Sequence, residues 1–489
     1  MIASLEHFDV VIVGAGISGI GAAYHLRTQC PELSFAALEA QAEFGGTWRT
    51  HRFPGIRSDS DLYTFGYRFK PWTGAPIATR EEILRYLGEV IDENDLARHI
   101  RYGHRITQAR WSSAEQCWHL RAKLGNGEET RLTAGFLWMC QGYYRHSEGY
   151  TPQWPGMDQF QGVIVHPQTW PEDLDYRGKH IVVIGSGATA ATLIPALAPD
   201  CAHVTMLQRS PTWFRTGRNA IPIADELRQL QVDESWIHEI VRRRILFDQH
   251  RFTRMTFVAP DKVKEELLTA AREYLGPEYD LEKHFVPRYR PWRQRIAFIP
   301  DGDLFRSIRD GKASVVTDEI ERFTPEGLLL KSAATLKADI IVTATGFNLN
   351  VLGDIEFIID DRPLVFADTV TWRGMMFTGV PNFAWVFGYL RASWTLRVDL
   401  VADFVVRLLR HMRNTGARQV VPALRPSETS MPLQPWIDPE NFNPGYVSRN
   451  LHLLPKAGKL PEWQHTQDYW TEKDQIPTID IASAPFNFS

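Results

Sequence analysis

The chain has 489 residues, 44% of them hydrophobic and 23% charged, which is the balance of a globular protein of two or three domains. Its 54 Lys and Arg against 58 Asp and Glu leave a formal net charge of -4, which excludes the basic excess of a nucleic-acid binder. No run reaches the roughly eighteen apolar residues of a membrane span, and the first strand begins too close to the N-terminus to leave room for a signal peptide. Cys30, Cys117, Cys140 and Cys201 form no CxxC pair and no zinc spacing, so free thiols in a reducing cytoplasm are expected.

Residues 9–19, DVVIVGAGISG, read as a strand, a glycine turn and a helix start. In such a turn Gly14 permits the tight bend, Gly16 lets the backbone approach a pyrophosphate, and Gly19 lets the helix lie close on the strand. The helix start then offers free N–H groups and a positive dipole end to the phosphates. A second strand, residues 35–38, ends in Glu39, twenty residues after Gly19, where a carboxylate accepts hydrogen bonds from a ribose hydroxyl. The following loop carries Gly45, Gly46, Thr47, Trp48, Phe53, Pro54, Gly55 and Asp59, aromatics and turn residues together, and is expected to wrap the bound nucleotide.

Residues 71–110 read as mostly helical, with 81–94 strongly periodic. Residues 111–132 alternate as a small antiparallel sheet with a hairpin turn at Gly125-Asn126-Gly127, and 136–139 form a further short strand. A second nucleotide unit follows: strand 180–184, the turn Gly185-Ser186-Gly187-Ala188-Thr189-Ala190, and a helix over 192–197. Its next strand, 204–207, leads into Gln208-Arg209-Ser210, with Arg209 where the first unit has an acid. An arginine and a hydroxyl there suit a 2′-phosphate, so the second nucleotide is expected to be NADP. Residues 222–284 read as a helical insertion in which Arg242-Arg243-Arg244 is expected to be a solvated face. The proline-rich segment 287–295 is a loop crowded with arginine, 339–344 a buried strand, 370–387 strands, and 394–412 a helix.

The expected fold is therefore α/β, with two dinucleotide-binding units, the second inserted in the first. The divisions are 1–145 and 346–489 for the first unit, 146–221 and 287–345 for the second, and 222–286 for the helical insertion. Two such units in one chain imply hydride passage from a nicotinamide to a flavin. Flavin disulfide reductases need a close redox cysteine pair, and the sequence has none. Other flavin dehydrogenases, flavin monooxygenases and a non-enzymatic cofactor sensor remain on this ground alone.

Two longer patterns narrow the choice. Phe160, Gly162, His166, Trp170 and Pro171 complete FxGxxxHxxxWP, and Gly45, Gly46, Trp48, Phe53, Pro54, Gly55 and Asp59 complete [A/G]GxWxxxx[F/Y]P[G/M]xxxD. These resemble the signatures of type I Baeyer–Villiger monooxygenases. Segments such as RSDSDLYTFGYRFKPWTG and PWRQRIAFIPDGDLFRSIR resemble its mycobacterial ethionamide-activating subgroup over most of the chain. The resemblance implies FAD in the first unit, NADPH in the second, and molecular oxygen as co-substrate. A small ketone would become an ester or lactone through a C4a-peroxyflavin, with sulfoxidation as a second activity. The related S- and N-oxygenating flavin monooxygenases usually lack the Trp-Pro end of the first signature. By family position Arg295 matches the catalytic arginine and Asp59 the carboxylate that orients it. Gln294 stands where many members have a lysine that helps hold the 2′-phosphate, which leaves that task to Arg209. His166 matches a histidine whose role resembles a structural or conformational one. The chemistry agrees, because a negative peroxide needs a fixed cation and a dry site, and arginine stays charged at any working pH.

Overall fold

The computed structural model describes residues 5–489; the expectation about a leader concerns the N-terminus, which lies partly outside them. Two sheets organise the chain. In the first, Glu6–Val13 lies between Phe35–Leu38 and Glu129–Met139, parallel to both. Val10, Val11 and Ile12 are wholly buried, since helices and further strands cover both faces of this sheet. His104–Ser112 and Cys117–Leu124 extend it as antiparallel neighbours, for nine strands among the described residues. The second sheet has five strands in the order Ala313–Thr317, His203–Gln208, His180–Ile184, Ile340–Thr343, Val163–Val165, all parallel. The expected α/β fold with two Rossmann-like units is what the chain adopts.

Three local expectations are corrected. Of residues 71–110, only Arg80–Glu93 forms a long helix, opened by a capping box between Thr79 and Glu82. His104–Ser112 is a strand, and a bulge between Ile106 and Gln108 leaves Ile106 and Ala109 both buried. Buried residues three apart imitate helical spacing. Residues 136–139 are not a separate strand but the end of the eleven-residue strand Glu129–Met139. Its first half pairs with Cys117–Leu124, and its last residues pair with Phe383–Trp385 instead. Arg242 is not on a solvated face. It is 6% exposed, and its guanidinium donates to the carbonyls of Tyr63 (2.7 Å) and Gly66 (3.2 Å), around the end of helix Leu62–Phe65. Cations are favoured at helix C-termini because the last carbonyls lack partners. Arg243 and Arg244 are exposed as expected.

Residues 222–285 are largely helical: Pro222–Gln229, Glu234–Val258, Pro260–Leu275 and Leu281–Phe285. Ile237 and Val241 pack into the core of the first unit, while Ala271, Leu281 and Phe285 pack into that of the second. The chain passes between the units along Tyr144–Gly149 and returns along Phe347–Leu349, and these two segments pair antiparallel. All four cysteines are buried and free. Among the described residues no helix is long and apolar enough to cross a membrane.

Candidate active site

The first glycine turn sits at the end of strand Glu6–Val13. Gly14 has φ +101°, and a Cβ there would meet the Cys140 carbonyl oxygen at 2.9 Å. A Cβ on Gly19 would lie 1.9 Å from the Gly14 oxygen, so helix Ile17–Gln29 rests directly on the turn. Gly16 caps that helix without a side-chain hydrogen bond, leaving first-turn N–H groups free. Gly16 and Gly46 face each other, and a Cβ on Gly46, at φ +54°, would stand 3.2 Å from the Gly16 Cα. Side chains at either position would fill the space between them. Glu39 is buried, and its carboxylate accepts from the N–H groups of Ala15 and Gln41, both at 2.8 Å. Burial pushes its pKa up, against the pull of those hydrogen bonds and of Arg105.

A cavity of about 380 Å³ opens on this turn. Gly14, Gly16, Glu39, Gly45, Gly46, Thr47, Trp48, Phe53, Asp59 and Arg295 all line it, so the structure brings together residues that the sequence singled out far apart in the chain. Its far wall is Ala188, Thr189 and Thr192, in the first turns of helix Ala188–Leu197 of the second unit. That helix is capped by Gly187, again with no side-chain hydrogen bond, and a Cβ on Gly187 would meet nothing within 4 Å. Gly185, at φ +126°, cannot carry a side chain, because its Cβ would lie 2.3 Å from the Ala344 oxygen. Ala190 is buried beneath this turn. Arg209 and Ser210 project, exposed, beyond strand His203–Gln208, and Arg209 makes no ion pair among the described residues. Two uncapped helix starts and an open cradle of glycines fit two dinucleotides.

Arg295 stands on the cavity wall. Its Nη1 is 3.6 Å from Asp59 Oδ2, an ion pair too long for a hydrogen bond, and its Nε donates to the Tyr446 hydroxyl at 3.3 Å. Burial works against its charge, but Tyr446, Tyr143, Tyr144 and Asp59 outweigh it and hold the guanidinium firmly protonated. Tyr143 and Tyr144 hydrogen-bond to each other through their hydroxyls. Burial raises the pKa of both, so both stay neutral donors. Trp394 stacks on Tyr143 and donates from Nε1 to the Ser18 hydroxyl at 2.8 Å, tying the wall to the first helix. His51 lines the same cavity, and its pKa is pushed down to about 4 by burial, helped by His146 and His166.

The FxGxxxHxxxWP signature lies outside the cavity, beside the two crossing segments. Gly162 packs where a Cβ would meet the Asp339 oxygen at 2.2 Å, Phe160 rests on Phe323, and Trp170, followed by Pro171, on Tyr176. His166 accepts from the Gln168 N–H at Nδ1 (3.1 Å), so Nε2 carries the proton and donates to the Gly346 carbonyl (3.2 Å). Its ring lies on Gly149, where a Cβ would come within 1.9 Å of it. One neutral side chain thus touches Gly149, at the end of the first crossing segment, and Gly346, just before the second. The sequence reading missed Tyr143, Tyr144, Trp394, Tyr446 and His51. Position alone could have pointed to the tyrosine pair, which follows the C-terminal end of a parallel strand, where ligands of such sheets bind.

Two nucleotide folds sharing one cavity with an arginine on its wall define a redox enzyme of the two-dinucleotide flavoprotein class. A model of the NAD(P)-binding Rossmann-like domain matches residues 12–73, and the flavin-binding monooxygenase-like family matches residues 75–225. The FAD-containing monooxygenase EthA of Mycolicibacterium smegmatis is 46% identical over 487 residues, covering 99% of this chain and 97% of that protein. The probable FAD-binding monooxygenase AlmA of Acinetobacter baylyi is 41% identical over 485 residues, covering 99% and 96%. Oxidized steroid monooxygenase bound to NADP shares the fold with a TM-score of 0.79 at 22% identity, over 99% of both chains. Cyclohexanone monooxygenase with epsilon-caprolactone bound does so with 0.74 at 20%, over 99% and 100%. This chain belongs to the family of FAD-containing monooxygenases.

Proposed function

We propose that the chain is an FAD- and NADPH-dependent monooxygenase of Baeyer–Villiger type, which uses molecular oxygen to turn small ketones into esters or lactones and sulfides into sulfoxides. The observation that carries this reading is Arg295, a guanidinium beside Asp59 and Tyr446 on the wall of a cavity shared by both nucleotide units. The turn Gly14-Ala15-Gly16 with Gly19, the Glu39 carboxylate, and Gly46, Thr47 and Trp48 would hold the FAD. Gly185, Gly187 and Ala190 would hold the NADPH pyrophosphate, with Arg209 and Ser210 on its 2′-phosphate. This assigns 1–145 and 346–489 to the flavin, 146–221 and 287–345 to the nicotinamide, and 222–286 to a helical insertion. Four buried free thiols suit a reducing cytoplasm.

Bound together, the two cofactors supply a hydride and the activation of oxygen. The chain's own residues supply the environment. Arg295 offers a permanent positive charge to a negative oxidant and to the oxygen of a carbonyl under attack. Asp59 limits where that charge can swing. Tyr143 and Tyr144, kept neutral by burial, add hydrogen-bond donors without competing charge. The stacked Tyr143 and Trp394 wall helps to keep water out. His166 and Phe160 to Pro171 act at a distance, on the segments joining the units. Product analysis with a simple ketone and a thioether tests the reading. Ester or lactone together with sulfoxide supports it; sulfoxide without ester places the chain with the S- and N-oxygenating enzymes instead.

A further inference from the structure

Helix Glu234–Val258 carries a face that the molecule leaves uncovered. Five of the fourteen large exposed hydrophobics among the described residues sit on it: Trp236 (65% exposed), Ile240, Phe247 (51%), Phe257 and Val258 (64%). Trp236, Ile240, Arg243, Phe247, Arg251, Arg254 and Val258 recur at intervals of three or four, one continuous stripe along about 33 Å of helix. The opposite side, with Ile237, His238, Val241 and Arg242, is buried. Each carboxylate of the helix is already engaged: Glu234 with Arg228, Glu239 with Arg243 and Asp248 with Arg244. Arg251 and Arg254 make no ion pair among the described residues, so the stripe carries uncompensated positive charge on a chain that is net negative.

We propose that this helix docks the enzyme on an anionic lipid bilayer. Trp and Phe side chains settle at headgroup level, aliphatic ones reach just below it, and arginines extend to the phosphates. Charge decides between occupants. A second copy of the chain, paired two-fold on the same stripe, would set arginine against arginine, whereas an anionic surface answers every one of them. The docked end lies near the loop of Arg295, because the guanidinium groups of Arg290 and Arg391 stack on Phe257 at 4.0 and 5.4 Å. Docking by this face does not depend on the activity of the cavity.

The test is sedimentation of the flavin-loaded enzyme with phosphatidylcholine vesicles, and with vesicles in which part of the lipid is phosphatidylglycerol. Binding is expected only to the anionic vesicles and is released by salt. The double variant Arg251→Gln/Arg254→Gln should weaken partitioning by about thirtyfold. Trp236→Ser/Phe247→Ser should weaken it while leaving the salt dependence in place. Both variants should keep their flavin content, melting temperature and NADPH oxidation in solution. Equal binding to neutral and anionic vesicles, or no loss of binding in either variant, overturns the proposal. So does a dimer in sedimentation equilibrium that Trp236→Ser/Phe247→Ser dissociates, which would give the face to a second copy of the chain.

Discussion

Replacing Arg295 by alanine separates the two halves of the proposed reaction, and the geometry sets the size of each effect. The side chain makes one ion pair at 3.6 Å, to an Asp59 that is 41% exposed, and one hydrogen bond at 3.3 Å to Tyr446. An exposed pair of this kind contributes up to about 1 kcal/mol, and the hydrogen bond about as much. Arg295→Ala should therefore fold, take up FAD and consume NADPH. Removing a preorganised charge from an oxyanion costs about 10²–10³ in rate, so ester should fall by that factor. The oxygen should leave instead as hydrogen peroxide. Arg295→Lys keeps the charge but loses the planar fork, and should fall between the two. Asp59→Ala removes only the long contact, so its loss should stay within about fivefold. The assay counts ester and peroxide formed per NADPH consumed, with a ketone in excess. Ester at an undiminished rate in Arg295→Ala would refute the reasoning and move the role to another arginine of the loop, Arg288, Arg290 or Arg293.

Four further outcomes are expected. Arg209→Ala should erase most of the preference for NADPH over NADH, about ten- to a hundredfold from one charge-assisted contact, seen in the ratio of kcat/KM for the two cofactors; equal use of both by the unmutated enzyme would contradict the assignment. Gly19→Ala, whose methyl would fall 1.9 Å from the Gly14 oxygen, should yield protein without bound flavin, checked by absorbance after purification. Glu472→Ala should destabilise the fold by about 3–5 kcal/mol, read as a lower melting temperature, because it strips the partner from Arg397, which is 0% exposed. His51 and His238 are buried with pKa values pushed down to about 4 from 6.5, by desolvation first, then by neighbouring His146 and His166 for one and Arg242 for the other. Protons bind the unfolded chain more readily at these sites, so their contribution is full above about pH 6.5 and is lost as the pH falls towards 4. The loss is on the order of 3 kcal/mol for each, and a melting temperature that is flat from pH 7 to 4 would count against it.

The features legible in the sequence are those whose physics is local. Gly14 and Gly19 could be read because a turn that steep excludes a Cβ wherever it occurs, and Gly16 because a side chain there would fill the space facing Gly46. The buried runs 10–13 and 181–184 announce themselves as apolar, since both faces of these sheets are covered there. What failed was set by pairing partners far along the chain. The bulge in His104–Ser112 is imposed by its register with Cys117–Leu124, and without that partner buried residues three apart look helical. Strand Glu129–Met139 looked broken because it changes partner midway, from residues just before it to Phe383–Trp385. Arg242 looked like one of three solvated arginines. Only the fold places the carbonyls of Tyr63 and Gly66 against it.

The same distinction runs through the site. Asp59 and Arg295 are 236 positions apart and meet because the crossing segments Tyr144–Gly149 and Phe347–Leu349 hold one unit against the other. No spacing rule links them. Nor does one link Tyr143, Trp394 and Tyr446, which meet beside Arg295 from three parts of the chain. The FxGxxxHxxxWP signature is the instructive case, being one of the two long patterns in the sequence and yet absent from the cavity wall, which the other lines through Gly46, Trp48 and Asp59. Its residues have other constraints. Gly162 must clear the Asp339 oxygen, and the His166 ring must fit over Gly149 while Nδ1 accepts from one backbone group and Nε2 donates to another. Both nitrogens are committed to backbone partners, and burial disfavours the protonated ring. Its contacts fall on Gly149 and Gly346, at the ends of the two segments that join the units. A pattern of that length is what such a junction demands, because each residue is constrained by a different neighbour rather than by a shared ligand.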